Sequence, residues 1–303
     1  SHDNFFELNP VLSANGAAPK KIAGESSEIL VAAASKFIAK AKRNDKPFFV
    51  VIWYGSPHEP YSGLPKDLAL YDDLPDKYND KTFRLTSNET GRPTTRPLGD
   101  ILRERYAEIT AMDRSIGQLR EFLDAQELRE DTLLWYCGDN GTPGDGIVTS
   151  PLRGQKSQMY DGGIRVPGVI EWPARIKTPL VSQLNSVTSD ILPTLCELVG
   201  IDLPPRELDG LSLTGTFDGT LKQRPVPIFF WQYNVGGDKQ REPWIPGPLQ
   251  IGTTPLVKMM GNVYTRTFKN FKHPKIVASD YDGGRAVLAD DYKLVVAGDG
   301  ASL

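Results

Sequence analysis

The chain has 303 residues, 39% of them hydrophobic and 24% charged, which is enough to bury a real core and to hold one large domain with a smaller one beside it. A formal net charge of −3 gives no long-range attraction to nucleic acid or anionic membrane, and the longest clean apolar run, Phe48 to Tyr54, is far short of a membrane span. Two cysteines, Cys137 and Cys196, are too few for a disulfide framework and sit in apolar runs, so they read as buried free thiols.

Residues 1 to about 24 are polar, punctuated by Gly and Pro, and read as loop. Ser26 is placed to cap a helix in which Leu30, Ala33, Phe37 and Ala41 recur at helical spacing, with Lys40, Lys42 and Arg43 gathered at its C-terminal end. Pro47 to Tyr54 is a continuous β-branched and aromatic run, suited to a strand buried on both faces of a mostly parallel sheet. It ends in Gly55-Ser56-Pro57-His58, which puts His58 just past the strand's carboxyl end, where ligands of open α/β sheets bind. Residues 59–99 have weak periodicity and read as a long surface excursion.

From Asp100 to Leu128, the positions Leu102, Tyr106, Ile109, Met112, Ile116, Leu119 and Leu123 form an amphipathic stripe. A strand Thr132–Cys137, a loop to about residue 166, a strand Gly168–Trp172 and a helix Thr188–Val199 stopped by Gly200 follow. This order predicts an α/β fold with a mixed, mostly parallel sheet flanked by helices, over residues 1–221. Residues 222–303 read as a smaller C-terminal α+β region, rich in β, with strands at Ile228–Tyr233, Val263–Phe268 and Tyr292–Val296.

The strand Thr132–Cys137 delivers Asp139 and Asn140 into a Gly-rich turn. Asp-Asn-Gly is by itself an ordinary turn sequence, but both side chains carry the oxygen that a hard divalent cation prefers. Lys156 adds a compact positive charge nearby, so the two elements together can form a pocket for a tetrahedral oxyanion. An imidazole such as His58 can take or give a proton near neutral pH, and Lys156 can balance developing negative charge.

Leu152-Arg153-Gly154-Gln155-Lys156 is similar to the Leu-Arg-Gly-Gly-Lys of the sulfatase family, in the alkaline-phosphatase-like superfamily. Tyr160-Asp161-Gly162-Gly163-Ile164-Arg165-Val166-Pro167 resembles that family's Trp-Glu-Gly-Gly-Ile-Arg-Val-Pro. Lys46 through His58, Tyr106 to Gly117, Ser189 to Leu195 and Leu208 to Leu213 extend the likeness over residues 25–215, and Asp291-Tyr292-Lys293-Leu294-Val295 carries it on weakly.

The resemblance implies a sulfuric ester hydrolase in which Asp139 and Asn140 bind calcium while His58 and Lys156 act as sulfate-binding and catalytic groups. Arg153 and Arg165 are read as structural ion-pairing partners within the loop rather than direct substrate ligands. The family attacks sulfur with a formylglycine, made from Cys or Ser within Cys/Ser-X-Pro/Ala-X-Arg. Neither cysteine here lies in such a sequence, and Thr149-Ser150-Pro151-Leu152-Arg153 has only its spacing. The Asp-Asp pair that completes the calcium site and a Lys-X-His segment are also missing.

In the family all of these precede the Pro-His strand. The chain is therefore expected to be the central and C-terminal part of a sulfatase, truncated at the N-terminus and inactive alone. Its expected partners are a sulfate ester, a sulfated glycan among them, and the missing N-terminal segment. No signal-peptide pattern opens at Ser1, and the compartment the resemblance implies is periplasmic or secreted. A phosphodiesterase or phosphonate monoester hydrolase of the same superfamily, and a non-catalytic sulfatase-like binding protein, are the alternatives. Substrate choice is expected to lie in loops such as 59–99 and 232–262.

Overall fold

The computed structural model describes residues 8–12, 14–15, 17, 20–86, 93–232, 257–260, 263–267, 283–297 and 300–302. In chain order its elements are β1 (Val11–Leu12), β2 (Lys20–Lys21), α1 (Ser26–Arg43), α2 (Pro65–Leu68), β3 (Thr82–Thr86), β4 (Pro93–Pro97) and α3 (Leu98–Ala125). Next come β5 (Leu134–Cys137), α4 (Asp161–Ile164), β6 (Gly168–Glu171), α5 (Ile191–Val199) and α6 (Thr214–Phe217). Strands β7 (Ile228–Trp231), β8 (Val257–Met260), β9 (Val263–Thr267), β10 (Arg285–Ala289), β11 (Tyr292–Ala297) and β12 (Gly300–Ser302) complete the chain. The chain forms two compact units, Ser1–Glu127 with Gln240–Lys272 and Leu128–Lys239 with His273–Leu303.

In the first unit α1 packs on α3. Its N-cap is Glu25, not the expected Ser26: the Glu25 carboxylate accepts from the Glu28 amide at 3.0 Å and from both the Ser26 and Ser27 hydroxyls at 3.2 Å. A carboxylate there also meets the positive end of the helix dipole, and Lys40, Lys42 and Arg43 occupy the opposite end as expected. The buried stripe is Val31, Ala34 and Ile38, one residue along from the predicted one, so Phe37 is exposed.

Helix α3 starts two residues before the predicted Asp100 and buries Ile101, Leu102, Ala107, Ala111, Met112, Leu119 and Leu123. Its Arg114 joins both neighbours, bonding Asp67 through two nitrogens at 2.7 and 2.8 Å and Glu28 at 2.6 Å. The Asp67 carboxylate, opposed by burial and reinforced by Glu28, holds that guanidinium above its ordinary pKa. The predicted surface excursion is more ordered than its periodicity implied: it contains α2 and the β3–β4 hairpin, and Tyr61, Leu85 and Ile101 form a buried cluster with Phe83 packed against it.

In the second unit β5 pairs with β6 in the register Leu134↔Glu171 to Cys137↔Gly168. Helix α5 stops at Gly200, whose φ of +69° suits the left-handed C-terminal position, and the Ile201 amide returns to the Cys196 carbonyl at 3.0 Å. Strands β7, β10, β11 and β12 form a four-stranded sheet in the order β12-β11-β10-β7.

Every pairing among the described residues is antiparallel, so the expected mostly parallel sheet is not assembled here. The run on which it was to be built, Pro47–Tyr54, is in no ladder. A central parallel strand needs neighbours on both edges, and among the described residues this one has none.

Candidate active site

The candidate site grows out of the β5–β6 pair. Beyond Cys137 the same antiparallel run continues through backbone bonds alone: Gly138 N donates to Pro167 O at 3.2 Å, Gly141 N to Gly163 O at 2.8 Å and Thr142 N to Gly162 O at 2.9 Å. Two further bonds tie in the following loop, Gly162 N to Arg153 O and Lys156 N to Thr142 O, each 2.7 Å. The Lys156 backbone is thereby fixed two residues from Asn140 across a hydrogen bond.

Such an approach requires glycine. A Cβ on Gly141 would sit 2.1 Å from the Gly162 carbonyl oxygen, and one on Gly162 would sit 2.0 Å from the Gly154 carbonyl oxygen. After Lys156 the chain turns at Ser157, whose φ of +76° is unusual for a residue with a side chain and marks strain at this loop.

Asp139 is exposed and Asn140 half-buried. The Asn140 amide N–H donates to Asp139 Oδ1 at 2.8 Å, and Asn140 Nδ2 donates to Gly141 O at 3.0 Å, which leaves the Asn140 Oδ1 available as an acceptor. Burial, and then the charge of Asp139, push the thiol of Cys137 above its ordinary pKa, so it is held neutral at the end of β5.

Arg153 stacks on Tyr160, with its guanidinium carbon 3.9 Å from the ring centroid, and donates to the Tyr160 hydroxyl at 3.0 Å. Arg153 is thus held within its loop by an aromatic ring and its hydroxyl, where an ion pair was expected. A contact the sequence did not reveal is the ion pair of Lys293 on β11 with Asp161 at the start of α4, 2.6 Å long. It anchors the Gly162–Gly163 turn to the four-stranded sheet. Asp145, in the 3-10 turn Gly144–Thr149, is a second carboxylate of this loop region that sequence reasoning passed over, and it is buried.

His58 lies in the other unit. Its Nδ1 donates to the Glu59 carbonyl oxygen at 2.6 Å, because a carbonyl can only accept. That bond fixes the tautomer and leaves Nε2 as the acceptor nitrogen of the neutral ring. Asp139, Asn140 and Lys156 are thus held in one loop cluster, and His58 is oriented separately.

Among the described residues no three His, Cys, Asp or Glu side chains gather into a metal-holding group. Asp139 and Asn140 are hard oxygen donors adjacent in sequence and fit a share of a calcium shell. They do not complete the six to eight oxygens, roughly, that calcium takes.

The Gly-rich loop cluster thus brings the backbones of a carboxylate, an amide and an ammonium residue, Asp139, Asn140 and Lys156, close together. The sulfatase family profile matches residues 2–201, and the chain belongs to that family. It is similar to human arylsulfatase A, 31% identical over 205 residues, covering 66% of this chain and 34% of that protein. It is also similar to the ulvan-active sulfatase of Formosa agariphila, 31% identical over 176 residues, covering 58% of this chain and 33% of that protein. The chain spans about a third of the length of these curated relatives.

Among solved structures, one from the glycosaminoglycan metabolism of Bacteroides thetaiotaomicron aligns with a TM-score of 0.66 at 20% identity, covering 98% of this chain and 54% of that one. The Ps i-CgsB complex with k-i-k-neocarrahexaose aligns with a TM-score of 0.60 at 19% identity, covering 94% of this chain and 49% of that one. These likenesses, at 20% identity or below, show a shared fold.

Proposed function

We propose that the protein of which these residues form part hydrolyses sulfuric esters, with Lys156 and His58 acting on the sulfate group. The observation that carries this is the backbone zipper joining Asp139-Asn140 to Lys156, in a chain that belongs to the sulfatase family. The Lys156 ammonium pairs with sulfate oxygens and offsets charge that grows as the ester bond breaks. His58, its Nδ1 committed to the Glu59 carbonyl, presents Nε2, which when protonated gives its proton to the departing alcohol oxygen.

Asp139 and Asn140 would hold calcium, which when bound supplies positive charge to the sulfate oxygens. The attacking group is proposed to be a formylglycine outside these residues, since neither Cys137 nor Cys196 lies in a Cys-X-Pro-X-Arg sequence. The 303-residue chain by itself is then inactive. A sulfated glycan is the proposed substrate class: one relative is called ulvan-active, and one structural neighbour holds D-glucosamine-2-N,6-O-disulfate as its substrate. A periplasmic or secreted location is proposed with it.

The test is an assay of the whole gene product on matched aryl sulfate, phosphate monoester and phosphodiester substrates. Sulfate should be preferred, and Lys156→Ala and His58→Ala should each lower kcat/KM by about 100-fold or more. Preference for either phosphate ester, or indifference to both substitutions, refutes the reading.

A further inference from the structure

Strand β11 carries a charge on the wrong face of its sheet. Its side chains alternate, with Tyr292 and Leu294 exposed and Val295 buried between them and the following turn. The register sets Lys293 opposite Leu288 and Val295 opposite Ala286, and Leu288 in turn lies opposite Ile228. These residues share one face, and Ile228, Ala286 and Val295 on it are buried. Lys293 thus brings an ammonium group to a face whose neighbours are apolar. A cation so placed is costly unless paired, and an apolar side chain would serve the packing better. Packing therefore does not account for a lysine here.

Its partner does. The ammonium meets Asp161 Oδ1 at 2.6 Å, and the two side chains are unequally placed, Lys293 16% exposed and Asp161 44%. Asp161 opens α4, a single helical turn. The next residue, Gly162, donates to the Arg153 carbonyl and accepts from the Thr142 amide, and the Thr142 carbonyl accepts from the Lys156 amide. A continuous run of contacts therefore leads from β11 to the main chain of Lys156. The far end of that run is itself fixed: at the tip of the β10–β11 hairpin the Asp290 carbonyl accepts from Asn185 Nδ2 at 2.6 Å, and the Asp290 carboxylate from Gln223 Nε2 at 3.0 Å.

We propose that Lys293 is a positioning residue for Lys156: its ion pair with Asp161 holds α4 and the Gly162 turn, and through them the main chain from which the sulfate-binding ammonium projects. This rests on the reading of the protein as a sulfuric ester hydrolase. A long side chain carries any play at its base out to its charged end. Loosening the loop therefore slows the reaction without removing a contact to the substrate.

The substitution that tests this is Lys293→Met, which keeps an unbranched stem and completes the apolar face. Its urea midpoint should be no lower than the parent's, because the charge removed is largely buried and Asp161 is open to water. In the 303-residue chain the amides of Thr142, Lys156 and Gly162 should nonetheless exchange about 10-fold faster by NMR, while those of α5 keep their rates. In the whole gene product kcat/KM on an aryl sulfate should fall about 10-fold, and Lys293→Arg, which keeps the ion pair, should recover most of it. Unchanged exchange at the three amides overturns the proposal, as does full activity in Lys293→Met. A lowered midpoint with all amides speeding up together also overturns it, since the pair is then a general stability contact. A parent protein inactive on sulfate esters refutes the catalytic reading instead, and the exchange rates, which read no activity, decide separately whether β11 holds the loop.

Discussion

The glycines of the loop cluster act through what they lack. At Gly162 an added Cβ meets the Gly154 carbonyl oxygen at 2.0 Å and the Arg153 carbonyl oxygen at 2.8 Å, and neither backbone can yield without opening the zipper that fixes Lys156. Gly162→Ala is therefore expected to destabilise the chain by about 2 kcal/mol or more in urea titration. Gly117, inside α3 with nothing within 4 Å of a built Cβ, is the control. Gly117→Ala should stabilise by about 0.5–1 kcal/mol, since glycine costs a helix that much in entropy. A second residue-scale case is Glu197, which the Ser212 and then the Thr214 hydroxyls hold below its ordinary pKa, Thr214 at 2.6 Å. A depressed folded-state pKa stabilises above the ordinary glutamate range, and that contribution is lost as pH falls through the folded value. NMR titration should show Glu197 returning toward ordinary behaviour in Thr214→Ala, and the stability gap between the two proteins should shrink on acidification.

At the scale of elements, the helix predicted at Thr188–Val199 forms, but what holds it in place is a buried ion pair. Asp190 is fully buried and accepts from Arg224 at 2.8 and 2.9 Å, from the Val187 amide at 2.8 Å and from the Leu211 amide at 2.9 Å. Arg224→Ala leaves that carboxylate without its counter-ion and is expected to cost about 3–5 kcal/mol in thermal or urea unfolding. Asp190→Asn with Arg224→Met should cost less than the sum of the two single changes, because the pair is lost together.

This is also where the sequence stops being legible. Helical periodicity located α1 and α3, yet a one-residue error in phase exchanged Phe37 for Ile38 at the core, since Leu30, Ala33 and Phe37 repeat as regularly as Val31, Ala34 and Ile38. The positions of Asp139, Asn140 and Lys156 could be read because their loops are close in sequence and marked by glycine. The Asp161–Lys293 and Asp190–Arg224 pairs could not, because 132 and 34 residues separate the partners and no local pattern records a long-range ion pair. Strand existence was likewise readable from composition at Leu134–Cys137, while pairing direction depended on neighbours the composition does not name.

For the whole molecule, the donor count decides what calcium can do. Asp139 and Asn140 bring at most three side-chain oxygens where the ion takes roughly six to eight, and among the described residues no cluster of acidic or histidine side chains supplies the rest. A ligand present at 100 times its Kd raises stability by about 2.7 kcal/mol, which moves the Tm of a domain of this size by several degrees. Millimolar calcium should therefore leave the Tm of the 303-residue chain unchanged within about 1 °C, and aryl sulfate turnover should be undetectable with or without it. The whole gene product should show both the calcium-dependent rise in Tm and turnover, and Asp139→Ala should abolish the rise while leaving the calcium-free Tm nearly unchanged, because among the described residues the exposed Asp139 side chain accepts a hydrogen bond only from the neighbouring Asn140 amide. A rise of several degrees in the 303-residue chain would mean that oxygen donors other than these two complete the shell within this chain.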